Sequence, residues 1–534
     1  MATLAWVAAL LGAGVPASSG MVRATRLADA TRAGTGPAAR VASDFLASTT
    51  VEPGVRSRLP SRRVPGSFLG FSIEYNSVLD YTGSYVPGLD APFAAVVSRL
   101  GAFGGGLPSL RFGGVSTDES WWDPNGKPAP SGIHISLNPY WVNGVGSFEQ
   151  AERTPLIFGL NLGQPSTSYA LNWAKEATTA FGRRVTFEYG NEPDLYGMSF
   201  PFINAEGKRA YTTPLRRDWS FAAYIKEFTK KATLLHKHVR GIRLAGPSPI
   251  TFAWDSLIPE FVRDEHTRVS MATAHVYPMC TCVTNPDETS YPSLAHILSA
   301  TNVFAPLTEL APAINSARSH HLGFRVSEAG IISGGGGRLG GSFAGALWGL
   351  DFMFTLAEAG GSGVNFHTSG TYTPVSIGYV GALGSGGHWV MSAHPLLYAM
   401  LMFAQATGDG ARLLPDSTFL DSARRAGANI LMWATVDRSR TVHVVVVNED
   451  QHDAGQIRIR IPSGRGAGSL IRLTAPSPGS TAGTTLAGQS YAPASSDGQL
   501  QGAYLSARVG RASGGVYTFS MPTTSAALLT VNTK

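Results

Sequence analysis

The chain has 534 residues, of which 43% are apolar and 15% charged, with a net charge of +6. That length suits one large domain plus a smaller one, and that balance excludes a disordered or fibrous chain. No Lys/Arg-rich run points to nucleic acid, and no apolar stretch is long enough for a membrane span.

Residues 4–15 are apolar and run into Pro16-Ala17-Ser18-Ser19, the pattern of a signal peptide, although no basic residue precedes them. Residues 1–20 are therefore read as an export signal, which makes the protein secreted or periplasmic. Residues 21–41, rich in Ala, Arg, Gly and Pro, read as a loose tail. Strand-like runs follow at 68–74, 109–112, 156–161, 185–192, 242–247, 271–277, 323–328 and 363–367, with helical patterns such as 169–181, 221–239 and 343–359 between them. Eight strands alternating with helices predict an α/β fold, a (β/α)₈ barrel over 61–408. From about Gly410 the texture changes to short strands such as 441–448, 457–461 and 526–531, separated by Gly/Ser/Pro turns. Residues 409–534 therefore read as a C-terminal all-β sandwich.

Two glutamates carry the chemistry. Val185-Thr186-Phe187 leads into Glu188-Tyr189-Gly190-Asn191-Glu192-Pro193, and Gly323-Phe324-Arg325-Val326-Ser327 leads into Glu328. In a (β/α)₈ barrel, reactive groups sit at the C-terminal ends of strands. Strands four and seven face each other across the mouth, which suits the two carboxylates of glycoside hydrolysis. Glu192 is the expected general acid/base and Glu328 the expected nucleophile. Arg325, on the same strand just before Glu328, is expected to help keep that carboxylate charged. Asn161 and His275, at the ends of strands three and six, are expected to support the site. Trp121 and Trp122 read either as cleft walls or as core. Cys280 and Cys282, the only cysteines, are expected to be unpaired loop thiols, because a bridge between residues two apart is strained. Gly335-Gly336-Gly337-Arg338-Leu339-Gly340 fits a dinucleotide-binding pattern, but it lies late in the chain and beyond its strand, so no such cofactor is expected.

The ordered segments Leu110-Arg111-Phe112-Gly113-Gly114-Val115-Ser116-Thr117-Asp118, Pro155 to Asn161, Glu188 to Pro193, His275-Val276-Tyr277 and Ser327-Glu328 with Gly334-Gly335-Gly336 resemble glycoside hydrolase family 79, the family of heparanases and β-glucuronidases. The resemblance runs from about Pro65 to Phe403 and more weakly beyond. It implies a retaining exo-β-glucuronidase, with no metal or organic cofactor and a carbohydrate partner. It further implies that a segment before the first barrel strand, within 42–60, completes the sandwich. The short spacer between strands two and three implies a single unprocessed polypeptide. By the same resemblance, Tyr277 donates to Glu328, Asn191 holds the sugar 2-hydroxyl and Asp118 binds sugar hydroxyls. The backbone of Gly334 and Gly335 receives the sugar carboxylate. The family's tyrosine before this glycine run is replaced here by Ser333, for which Arg338 or Tyr398 could compensate. An endo-acting heparanase-like enzyme, a neutral-sugar β-glycosidase and a non-catalytic carbohydrate-binding protein stand as alternatives.

Overall fold

The computed structural model describes residues 45–52, 62–84, 88–199, 201–203, 209–211, 214–334, 336–381, 386–414, 419, 423 and 427–533. The export signal expected over 1–20, the tail expected over 21–41 and Gly335 of the glycine run lie outside the described residues.

Eight parallel strands close into a barrel, in chain order around its axis. They are Gly70–Glu74, Ser109–Gly113, Leu156–Leu160, Val185–Tyr189, Leu244–Pro247, Val269–Val276, Gly323–Ala329 and Gly363–His367. Their residues are almost all buried, as expected when one strand face meets the surrounding helices and the other the barrel interior. Three strands carry a charge between apolar neighbours. Leu110 and Phe112, Phe187 and Tyr189, and Phe324 and Val326 join the large apolar core. Strand alternation therefore turns Arg111, Glu188 and Arg325 the other way, into the barrel.

The sandwich builds two sheets. Phe45–Thr50 lies parallel to Gly455–Arg460, so a strand preceding the barrel is part of the C-terminal domain. The larger sheet includes Ile430–Val436, Thr441–Asn448, Gly468–Thr474 and Ser525–Asn532. Its apolar run Val444-Val445-Val446-Val447 is buried on both faces. Val444 and Val446 join the core between the sheets, whereas Val445 and Val447 join the core shared with the barrel. The helix Phe343–Ala359 sits at this junction. Capped by Ser342 and ended by Gly360 at φ 99°, it is apolar nearly all round and buried nearly all round. Its Phe354 stacks on Trp433 of the sandwich with ring centroids 5.2 Å apart.

Two expectations are corrected here. Cys280 and Cys282 are joined in a disulfide, because the turn after Met279–Cys280 brings their Cα atoms to 5.1 Å, within bridging range. Tyr398, offered as a substrate contact, is buried on the outer helix Pro395–Thr407. Its hydroxyl accepts from the N–H of Tyr491 at 2.9 Å, which fixes that helix to the sandwich rather than reaching a ligand. Among the described residues, no helix is long and apolar enough to cross a membrane.

Candidate active site

Glu192 lies three residues past the end of strand four, in the left-handed region at φ 47°. A non-glycine residue there is disfavoured by roughly 1–2 kcal/mol. It is held by its N–H donating to the Ser248 carbonyl at 3.1 Å and by its own carbonyl accepting from Leu195 N–H at 2.9 Å. Strain of this kind is typical where a side chain has to be aimed. The side chain meets His275, whose Nδ1 is 2.9 Å from Glu192 Oε1. Glu328, within strand seven, receives the Tyr277 hydroxyl on Oε1 at 2.7 Å and an Arg111 Nη1 hydrogen on Oε2 at 2.5 Å. His367 Nδ1 stands 3.6 Å from Oε1. Oxygens of Glu192 and Glu328 and a ring nitrogen of His275 all lie within 4.8 Å of one another.

Arg111 organises this arrangement and was not singled out from the sequence. Its guanidinium is fully buried and donates from every nitrogen. Nε reaches Glu188 Oε2 at 2.6 Å, and Nη1 reaches Ser72 Oγ at 2.9 Å besides Glu328. Nη2 reaches Asn191 Oδ1 at 2.8 Å and lies 3.3 Å from His275 Nε2. An arginine can only donate. Its contact with Nε2 therefore leaves the imidazole proton on Nδ1, aimed at Glu192. The signal in the sequence was the charge itself: Arg111 and Glu188 each stand between apolar neighbours on a strand, and a buried charge needs a partner.

The two carboxyls are pushed apart electrostatically. Burial raises the pKa of Glu192, helped by the nearby Glu328 charge and opposed by His275 and Arg111. Burial acts on Glu328 in the same sense but is outweighed by His367, His275, Arg111 and Tyr277, which hold it well below the usual carboxylate range. Burial alone would lower His275; the charge of Glu328 and the bond to Glu192 outweigh it and raise it. Glu188 is also lowered: burial pushes it up, and Arg111 with His275 more than reverses this. The site thus holds one carboxyl that favours its proton beside one that favours its charge.

The rim is assembled from the other strand ends. Glu74 ends strand one. Its Oε2 accepts from Ser116 N–H at 3.0 Å and from the Ser116 hydroxyl, and its Oε1 from Val115 N–H at 3.2 Å. Gly114, at φ 78°, permits this approach; a Cβ there would stand 2.0 Å from Glu74 Oε1. Asp118 gives its carboxylate to three protein donors. Leu162 and Gly163 N–H donate to Oδ1 at 3.0 and 2.9 Å, and the Tyr196 hydroxyl donates to Oδ2 at 2.5 Å. Its first duty is to tie together the loops after strands two, three and four, and burial raises its pKa to about 6. Asn161 supports the same junction, with Nδ2 donating to the carbonyls of Asp118 and Ser120 at 3.0 and 2.9 Å. Trp121 and Trp122 are half-buried in this loop, with Trp122 packed 5.9 Å from Trp173. Arg338 is exposed, with its guanidinium 5.9 Å above the Tyr372 ring. Gly334, at φ 76°, follows Ser333 on the rim.

Arg325 does not reach Glu328. The strand is irregular between Val326 and Ala329, so both side chains enter the barrel but in different layers. Arg325 lies below, donating to Asn365 Oδ1 at 2.5 Å and to the carbonyls of Ser67, Phe68, Leu69 and Val364 at 3.1–3.4 Å. The cation at the carboxylate is Arg111.

An eight-stranded barrel carrying opposed carboxyls at its C-terminal mouth, joined to a β-sandwich, is a scaffold on which two-carboxylate chemistry can be built. Residues 432–528 match the Glycosyl hydrolase family 79 C-terminal beta domain. The chain is 24% identical over 533 residues to a beta-glucuronidase of Aspergillus niger, covering 87% of this chain and 90% of that one. It is also 24% identical over 370 residues to a beta-glucuronidase of Neurospora crassa, covering 60% of each. Among solved structures, the 4-O-alpha-L-rhamnosyl-beta-D-glucuronidase of Fusarium oxysporum in complex with Rha-GlcA superposes with a TM-score of 0.68 at 18% identity. That match covers 90% of this chain and 100% of that one. A GH51 arabinofuranosidase of Xanthomonas axonopodis pv. citri gives 0.61 at 13% identity, covering 92% and 100%. The resemblance to glycoside hydrolase family 79 therefore holds, and the protein is a glycosidase.

Proposed function

We propose that this glycosidase is a retaining exo-β-glucuronidase that works by double displacement through Glu328 and Glu192. The observation that carries the reading is the pair itself: carboxylate oxygens within 4.8 Å of one another, with pKa values driven in opposite directions. Retaining glycosidases hold their carboxyls about 5–5.5 Å apart, whereas inverting ones leave room for a water at about 6.5–9.5 Å.

In this reading Glu328, ionised by Arg111 and relieved of competing protons, attacks the anomeric carbon. Its bond to the sugar forms as the bond to the leaving oxygen breaks. Glu192 gives that oxygen its proton. The Nδ1–H of His275 occupies Glu192 Oε1, so the acidic proton sits on Oε2, free to be delivered. The same carboxylate then takes a proton from the water that releases the sugar. Arg111 holds Asn191 Oδ1, which turns the Nδ2 donors towards a substrate hydroxyl. Preference for glucuronides is supported by the named activity of the relatives and by the glycine at 334, where backbone N–H groups can face an anion.

Two measurements test the proposal. Proton NMR of the first-formed sugar should show the β-anomer, and an α-anomer would reject double displacement. The kcat/KM for nitrophenyl β-glucuronide should exceed that for nitrophenyl β-glucoside by about a hundredfold, the scale of two charge-assisted hydrogen bonds. A ratio near one favours the neutral-sugar reading. Release of single glucuronic acid units from an oligosaccharide tests the exo form, and longer products favour the endo one.

A further inference from the structure

The loops after strands six and seven stay zipped together above the barrel. Gly330 N–H donates to the Val276 carbonyl at 3.1 Å, Met279 N–H to Ile331 at 3.2 Å and Thr281 N–H to Ser333 at 3.2 Å. Met279–Cys280 thus runs parallel to Ile332–Ser333. Side chains lengthen the ladder: the Thr281 hydroxyl donates to the Gly334 carbonyl at 3.1 Å, and the Ser333 hydroxyl to the Met279 carbonyl at 3.3 Å. On the strand-six side the chain closes on itself. Cys280 is bonded to Cys282 around Thr281, and Cys280 N–H is anchored on the Ser290 carbonyl at 3.1 Å. The proposed reaction makes no use of this disulfide ring.

Its position gives it work. A trans peptide is planar, with its C=O and N–H on opposite sides. Thr281 holds the Ser333 carbonyl on one side, so the Gly334 N–H is directed to the other, away from the strand-six loop. Gly334 has no Cβ to restrict it, and glycine loses more conformational freedom on ordering than any other residue. Ser333–Gly334 is therefore ordered by its partners: Met279 holds the Ser333 hydroxyl, and Thr281, held in a closed ring, holds the carbonyls of Ser333 and Gly334.

We propose that the Cys280–Thr281–Cys282 ring is a redox-sensitive clamp that positions the backbone of Ser333–Gly334 and thereby tunes affinity for an anionic sugar. The ligand in this statement rests on the glucuronide reading; the clamp itself does not. A dithiol opens it. A thiolate attacks one sulfur, within reach at the partly exposed Cys282, and displaces the other as a thiolate. The second thiol of the reductant then resolves the mixed disulfide. Two electrons and two protons pass to Cys280 and Cys282, which become thiols, and the dithiol becomes a cyclic disulfide.

The experiment is hydrogen–deuterium exchange of peptides covering 330–342 in the full protein, before and after dithiothreitol, with steady-state kinetics on the same samples. Exchange in this segment should quicken by about fivefold on reduction, the scale of one released hydrogen bond, while the helix Phe343–Ala359 stays unchanged. The KM for nitrophenyl β-glucuronide should rise by a similar factor with little change in kcat, and the values for nitrophenyl β-glucoside should move by less than about twofold. Thr281→Val should reproduce both effects with the disulfide intact, and Thr281→Ser should restore both. Unchanged exchange on reduction overturns the clamp. Faster exchange with equal losses on both glycosides, in an enzyme that prefers glucuronide, overturns its role in specificity. A wild-type enzyme with no glucuronide preference sinks the substrate reading instead, and exchange alone then decides the clamp.

Discussion

Two arginines are buried in the same barrel, and their surroundings differ. Arg111, near the mouth, meets the carboxylates of Glu188 and Glu328. Arg325, in the layer below, donates among the described residues to carbonyl oxygens and the side-chain amide of Asn365. Burial disfavours both charges. At Arg111 the carboxylates outweigh burial and raise its pKa, whereas at Arg325 burial prevails and lowers it to about 9. Neutral dipoles satisfy the donors of a guanidinium without balancing its charge. The lower arginine can therefore plug and tie the strands, while the upper one can bias a reaction. Position along the strand, not residue type, separates structure from chemistry.

The sharpest break in this contrast comes from removing the anion that Arg111 serves. Glu328→Gln should lower kcat on every aryl glycoside by about 10⁴-fold or more, the scale seen when a nucleophile is deleted. Retained turnover would move the nucleophile elsewhere.

Glu192→Gln should lower kcat/KM by about 10²–10⁴-fold on substrates with poor leaving groups, yet leave the glycosylation burst with an activated aglycone. It should also change the pH profile. The wild type needs Glu192 protonated, so activity falls as pH rises through its raised pKa. It needs Glu328 ionised, so activity falls on the acid side only well below the usual carboxylate range. The variant should lose the alkaline limb measured on an activated substrate and keep the acid one.

Arg111→Met tests the upper arginine directly. Stranding Glu188 and Glu328 without their cation should cost about 3–5 kcal/mol of stability, read from the urea midpoint. Without the cation the Glu328 pKa rises, so the acid limb should move towards neutral pH. An unmoved limb would mean that His367 and His275 suffice.

Arg325→Met should be the mild counterpart. It leaves carbonyls unpaired, for a loss of about 1–3 kcal/mol, while both limbs of the pH profile stay in place. A shift of the acid limb in this variant would restore Arg325 to the site and dissolve the contrast.

Much of this was legible in the chain, for a definite reason. The eight strand positions follow from apolar runs that the fold buries on both faces, the helices at 169–181 and 221–239 from an apolar stripe buried on one face, and the helix at 343–359 from a run buried nearly all round; the observed elements coincide with them to within a few residues. Glu192 and Glu328 stood out as a pair: one carboxyl at a strand end is usually a helix cap, but two on strands four and seven suit the two-carboxylate chemistry of glycoside hydrolysis. Arg325, Tyr398 and the cysteines were misread for a common cause. Each assignment depended on a third-dimension neighbour: which layer of the barrel an inward charge occupies, what lies outside a helix, how tightly a turn closes. Arg111 is the residue whose role the sequence does signal, since Leu110-Arg111-Phe112 places a charge between two apolar neighbours on a buried strand, yet its partners lie on other strands.

By itself the sequence determined the periodicities, hence the barrel, the sandwich and the two carboxyls at the mouth, because alternation and burial are local consequences of backbone geometry. Only the tertiary structure decided which cation meets which anion. Arg111 is 77 positions from Glu188 and 217 from Glu328, and the pKa values that divide acid from nucleophile arise from charges brought within a few ångströms by barrel closure, a distance that no spacing along the chain encodes.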